Sequence, residues 1–312
     1  MTLSRNEGQQ TPAVAADTAK RRILCVTDFT ARSERAVRRA ALLARQMNAE
    51  VLFVHAVSDA MSGRVVRMKV NRACARLTWE GERAMQHAPH DAKSSVRLGK
   101  PLEVLIAAAR EYKPHLIVLA RPGQRRLQAI VGTTAEQVIR STGCSVLVVS
   151  GTAEREYEQV VLATERSFSS EHVTRTIGSM GMLPNAHTWI VHAFHLRYRG
   201  TAAASNAGCT DAMAREDEWN SIARREVLQS MQEAGVDLER VQVWTEQTRP
   251  LTAIERAIEQ VRPELLVIGV SRWFALKRLL LGSVADQVFR NVKCDVLAIS
   301  LPPAERKWLD AA

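Results

Sequence analysis

The sequence predicts an α/β protein made of two tandem doubly wound domains, each a five-stranded parallel sheet in the order 3-2-1-4-5 with helices on both faces. Three observations predict it. The 312 residues match the length of about two ordinary domains, apolar runs of strand length alternate with helical stripes, and the second half of the chain repeats the first. Strands that read as nearly continuous apolar runs are buried on both faces, which implies a parallel sheet covered by helices. The right-handed crossover rule then gives double winding.

The elements follow in order. The run Ile23-Leu24-Cys25-Val26-Thr27-Asp28 reads as the first strand and has its partner in Val160-Val161-Leu162-Ala163-Thr164-Glu165, each ending in Thr and an acid. A helix follows, with Ala36, Ala40, Leu43 and Met47 facing the core. The second strand, Glu50 to Ala56, matches His187 to Ala193, and both end in Val-His-Ala. The stripe Trp219, Ala223, Val227 and Met231 is read as a core-facing helix of the second half. Two further stripes, Leu102, Leu105, Ile106 and Ala109 and then Leu251, Ile254, Ile258 and Val261, precede His115–Ala120 and Glu264–Gly269, strands introduced by Lys-Pro or Arg-Pro. The last strands, Gly143–Val149 and Lys293–Ile299, also agree. The offset between the halves grows after the second strand, so the second half carries an insertion, placed at Arg199 to Thr210 and read as a flexible loop. The domains are expected at 20–151 and 156–303, with a disordered lead at 1–19 and a C-terminal tail at 304–312.

Composition narrows the function. No run approaches the roughly 18 apolar residues of a membrane helix, so no transmembrane segment is expected. The five cysteines are dispersed, with no CxxC spacing, and are read as reduced, mostly structural thiols in a cytoplasmic protein. A net charge of +10 attracts polyanions, but aromatics are only 5% of residues and no basic strand interleaved with aromatics occurs. No specific nucleic-acid partner is expected, and the arginines are read mainly as solubilising charge on helix faces.

In a doubly wound sheet, ligands settle outside the carboxyl ends of the strands at the switch point. In this Rossmann-like arrangement that corner falls at Asp28, Ala56 and Ala120 in the first half, and at Glu165, Ala193 and Gly269 in the second.

These residues resemble the universal stress proteins, whose pattern is a strand ending Thr-Asp-Phe-Ser, a strand ending His-Val, and a later G-x2-G-x9-G-[ST] phosphate loop. Thr27-Asp28-Phe29-Thr30 and Val54-His55-Ala56 match the first two parts. The resemblance covers Arg21–Ser150 and Gln159–Leu301, which makes the chain similar to the tandem type. It implies a stress-response protein that binds nucleotide, ATP or AMP with Mg²⁺ as a companion ion, and acts by binding. It also implies that the last strands of the two halves, Val146-Leu147-Val148 and Val296-Leu297-Ala298, pair with each other; a further homodimer stays open.

The glycine loop lets backbone N–H groups approach phosphate closely, and the Gly-Ser or Gly-Thr pair opens a helix whose N-terminus favours an anion. Both halves depart from the pattern. The second reads Gly269-x2-Arg272-x9-Gly282-Ser283, with arginine for the second glycine; that side chain either fills the phosphate pocket or clamps phosphate, and both readings stand. The first reads Ala120-x2-Gly123-x8-Gly132-Thr133, one residue short and with alanine first. The expected nucleotide contacts are therefore Thr27, Asp28, Ala56, Ala120, Gly123, Gly132, Thr133 and Thr134 in the first domain. In the second they are Thr164, Glu165, Ala193, Gly269, Arg272, Gly282, Ser283 and Val284. The first half is better matched at the nucleoside end and the second at the phosphate end.

Each of these residues has a plainer role. Asp28 can cap the following helix, and Gly132-Thr133 and Gly282-Ser283 can be ordinary helix starts; ligand contact is favoured for Asp28 and anion binding for Gly282-Ser283. His55 and His192 are read as structural, and Cys144 and Cys294 as small buried residues. The basic stretches Arg121–Arg126 and Arg272–Arg278 fall inside the would-be phosphate loops, which supports a small anionic ligand. No catalytic set and no metal-ligand set is assigned. The alternatives are a carrier or sensor of a larger anionic ligand, such as a nucleotide sugar or an acidic lipid with Trp273 and Phe274 covering its tail, and a weak nucleotide hydrolase.

Overall fold

A computed structural model describes residues 20–85, 92–123, 131–164, 168–183, 185–193, 238–246, 248–271 and 283–302, with isolated helical positions between 221 and 232. Among the described residues ten strands form one sheet: β1 Arg21–Val26, β2 Ala49–Val57, β3 Ala92–Leu98, β4 Leu116–Ala120, β5 Ser145–Val149, β6 Gln159–Thr164, β7 His187–Ala193, β8 Val241–Glu246, β9 Leu265–Ser271 and β10 Asp295–Leu301. The sheet order is β3-β2-β1-β4-β5-β10-β9-β6-β7-β8. Each half therefore has the expected 3-2-1-4-5 order, with parallel pairing throughout.

The halves meet where β5 and β10 pair antiparallel, Val148 opposite Val296 and Val146 opposite Ala298. Their sequences explain the joint. All five residues of β5 are buried, because Val146 and Val148 point to one face and Leu147 and Val149 to the other. An edge strand that apolar on both faces invites pairing, and the other half supplies the partner.

The continuous helices among the described residues are α1 Ala31–Met47, α2 Gly63–Ala84, α3 Pro101–Tyr112, α4 Val131–Thr142, α5 Phe168–Met180, α6 Pro250–Val261 and α7 Ser283–Asn291. Strand alternation sorts them into two layers. Ile23 and Cys25 join α1, α2 and α5 in one core, while Leu24 joins α3, α4, α6 and α7 in the other. Each core runs through both halves, and each fully buried Leu, Ile or Phe contributes roughly 1.5–3 kcal/mol.

The α1 stripe Ala36, Ala40, Leu43 and Met47 is wholly buried, as expected. In α3 the buried set is Val104, Leu105, Ala108 and Ala109, with Leu102 only packed against it, so the core face is turned slightly from the expected stripe. Trp219, Ala223, Val227 and Met231, the insertion at 199–210, the 1–19 lead and the 304–312 tail lie outside the described residues. Cys144 and Cys294, read as small buried residues, are partly buried: each precedes its strand, and the Cys144 thiol donates to the Pro114 carbonyl at 3.4 Å.

A polar clasp closes the seam. Asp295, buried at the start of β10, accepts the N–H groups of Ser150 and Gly151 at 2.7 and 2.8 Å and the Tyr157 hydroxyl at 2.6 Å. Arg39 of α1 lies 3.5 Å from it, donates to the Thr152 and Arg155 carbonyls, and stacks on the Tyr157 ring. Burial, followed by the nearby Asp295 charge, pushes the Tyr157 phenol well above its ordinary range. Among the described residues no helix is long and apolar enough to cross a membrane.

Candidate functional site

The first-domain crevice begins with the turn after β1. Thr27 is buried, its hydroxyl donating to Ser33 at 3.0 Å and accepting the Phe29 N–H at 3.1 Å. The Asp28 carboxylate accepts the Thr30 N–H at 3.1 Å and the Thr30 hydroxyl at 2.6 Å, and Thr30 is the N-cap of α1, accepting from Ser33 N–H. Partial burial pushes the Asp28 pKa up, but hydrogen bonds from Thr30 and Ser33, together with the Arg32 charge, outweigh it and hold the carboxyl below the usual aspartate range. The capping role thus belongs to Asp28 and Thr30 together, while Asp28 itself is exposed at the crevice.

This turn forces Phe29 into the left-handed region at φ 61°, a conformation a bulky residue rarely adopts. Its surroundings hold it there. The ring stacks on His55 with centroids 4.1 Å apart, and the Arg76 guanidinium lies 4.6 Å from its centroid while donating to the Phe29 carbonyl at 2.9 Å. His55 is fixed in turn by its Nδ1, 2.9 Å from the Thr27 carbonyl oxygen, in keeping with the structural role expected of it. Glu80 orients Arg76 from one helical turn away.

Beside this shelf lies a cavity of about 350 Å³ lined by Phe29, His55, Ala56, Val57, Ser58, Met61, Lys69, Arg72, Ala73 and Arg76. Its floor is aromatic and apolar, and its α2 wall carries three cations.

Of the residues expected from sequence, Asp28, Ala56 and Ala120 lie at the ends of the adjacent strands β1, β2 and β4, and Ala56 lines the cavity. Gly123 sits under Arg32: a Cβ there would stand 3.0 Å from Nη1. Helix α4 begins at Val131, so Gly132, Thr133 and Thr134 occupy its first turn and neither Gly132 nor Thr133 is a cap before it. Arg121 requires a correction. Read as part of a phosphate-loop charge cluster, it instead donates to the carbonyls of Phe289 at 2.6 Å, Arg290 at 3.0 Å and Val292, closing the C-terminus of α7 in the other domain. The remaining loop cations Arg125 and Arg126 lie outside the described residues.

In the second domain Thr164 and Ala193 end β6 and β7, and Ser283 starts α7 with Val284 packed against the core. Gly269 lies in β9 where a Cβ would meet Val173 at 3.2 Å and Leu301 at 3.4 Å. Glu165, Arg272, Gly282, Trp273 and Phe274 lie outside the described residues. Among the described residues no three His, Cys, Asp or Glu side chains gather as a metal site.

Sequence reasoning missed the α2 wall, the Phe29 shelf and Arg32. Lys69, Arg72 and Arg76 recur at helical spacing, a signal that was present in the sequence but attached to no motif.

Comparison with known proteins places this architecture. The sequence profile of the Universal stress protein family matches residues 20–150 and again 156–300. Universal stress protein MJ0531 of Methanocaldococcus jannaschii is 24% identical over 155 residues, covering 49% of this chain and 87% of that protein. Two solved structures share the fold at 15% identity and a TM-score of 0.60. One is a universal stress protein from Archaeoglobus fulgidus, covering 89% of this chain and 98% of that one. The other is a functionally unknown protein from Pseudomonas aeruginosa PAO1, covering 90% and 93%. With both halves matched and one ten-stranded sheet joining them, this chain belongs to the universal stress protein family, in its tandem two-domain form.

Proposed function

We propose that this stress-response protein works by binding a small anionic ligand of nucleotide type, AMP or ATP, in the first-domain crevice. One observation carries the reading: a cavity at the carboxyl ends of β1 and β2 combines a stacked Phe29–His55 shelf with cations from α2. Its volume of about 350 Å³ lies in the lower part of the range for small-molecule sites. A flat base in this reading packs against the edge of the Phe29–His55 pair and the apolar cavity lining, and Asp28, exposed at the neighbouring strand end with its carboxyl held below the usual aspartate range, accepts from a ribose hydroxyl. In this reading Ala56 contacts the ligand, Thr27 holds the turn, and Mg²⁺ enters only as a companion of the phosphates. The second-domain set, including Glu165, Arg272 and Ser283, is the weaker site.

Isothermal titration of the full chain with AMP and ATP tests the reading. Saturable binding is expected, and Ala56→Trp, which fills the cavity while leaving the fold intact by circular dichroism, is expected to abolish it. Absence of binding to both nucleotides, or binding untouched by Ala56→Trp, overturns it.

A further inference from the structure

We infer that the anionic group of the first-domain ligand is read by Lys69 and Arg72 of α2, and not by the glycine loop that follows β4. The inference rests on the proposed nucleotide-type site and assigns the part of it that recognises charge.

Four observations lead there. Among the described residues on the loop side, Arg121 is committed to capping α7 across the domain seam and the Arg32 guanidinium lies over Gly123. Ala120 stands where the pattern has its first glycine, and the loop is one residue short, so the sequence departs from the glycine pattern that lets backbone N–H groups approach phosphate. On the α2 side, Lys69 and Arg72 line the same cavity as the Phe29–His55 shelf. Both are exposed, and neither has a hydrogen-bond or ion-pair partner among the described residues. Arg76, by contrast, is engaged by Glu80 and by the Phe29 carbonyl. Spaced three residues apart, Lys69 and Arg72 sit on neighbouring positions of one helix face, where an ammonium and a guanidinium can hold one phosphate between them. A ligand whose ring rests on the shelf thus directs its charge toward α2.

The experiment compares AMP with adenosine, using the full chain and isothermal titration. Wild type is expected to bind AMP at least roughly ten-fold more tightly than adenosine, with the preference shrinking as salt rises. The double variant Lys69→Ala with Arg72→Ala is expected to keep its adenosine affinity and melting temperature and to lose the AMP preference. Arg32→Ala is expected to keep that preference. Equal affinity for AMP and adenosine in wild type, a preference that survives the double variant, or one lost in Arg32→Ala instead, overturns the inference while the nucleotide-type site stands. Failure of wild type to bind AMP, ATP and adenosine overturns both.

Discussion

Lys113 in the first domain and Arg262 in the second each end a helix in the left-handed conformation, at φ 50° and 49°, directly before a proline. Two residues further on the halves diverge. The His115 ring Nδ1 accepts the Arg22 N–H at 3.1 Å, whereas Glu264 accepts the N–H groups of Glu158 and Gln159 and pairs with Arg155 at 2.9 Å. The same divergence recurs at Ser145 against Asp295 and at Ala120 against Gly269. Turn geometry constrains the backbone, since a left-handed helix end before proline admits few alternatives. A side chain at a fixed register has only to supply an acceptor or fill a space, so duplicated positions are free to specialise.

The largest expected effect lies at Asp295, the buried member of the Ser145–Asp295 pair. Asp295→Ala leaves Arg39 buried without its countercharge and strips acceptors from Ser150, Gly151 and Tyr157. Breaking a buried pair in this way costs about 3–5 kcal/mol, measurable by urea unfolding. Asp295→Ser, which copies the first domain, is expected to lose most of the same amount. A cost below about 1 kcal/mol would mean that the β5–β10 pairing alone holds the seam, against the charged clasp described above.

The comparison also explains what the sequence could and could not tell. The repeated Thr-acid, Val-His-Ala and Arg-Pro or Lys-Pro signatures carried the two copies and their alternating strands and helices, because strand burial and turn chemistry are local properties, while the sheet order came with the doubly wound, Rossmann-like class. Even the pairing of the last strands followed from the family pattern. The role of Arg121 was hidden because its partners, the carbonyls of residues 289, 290 and 292, are far away along the chain and meet it only through the β5–β10 joint. The α2 wall escaped for another reason: Lys69, Arg72 and Arg76 look like a solvated helix face until the fold sets them against Phe29 and His55.

Between the crevices the expected difference is one of occupancy. At the β9 end a Cβ added at Gly269 would meet Val173 and Leu301, whereas the cavity beside β2 opens between an aromatic shelf and α2. Titration with AMP is expected to give a stoichiometry near one per chain. Phe29→Ala should weaken binding by about ten-fold or more, because the ring anchors both His55 and Arg76 beside the cavity. Two equivalent sites per chain, or a Phe29→Ala variant that binds like wild type, would erase the asymmetry between the domains.

The smallest expected effect separates Glu264 from its counterpart His115. Burial raises the Glu264 pKa, but the Glu158 and Gln159 N–H groups and Arg155 outweigh it and hold the carboxyl below the usual glutamate range. For a carboxyl depressed in the folded state, the stabilisation is fully present above the unfolded pKa and is lost as pH falls through the folded one. Glu264→Gln is therefore expected to cost roughly 1 kcal/mol at pH 7, kept small by solvent screening. The gap from wild type should narrow as pH drops below the ordinary glutamate range, followed by urea unfolding at stepped pH. A gap that stays constant down to pH 3 would assign this clasp to shape instead of charge, and Glu264 would then do in the second domain only what the uncharged ring nitrogen of His115 does in the first.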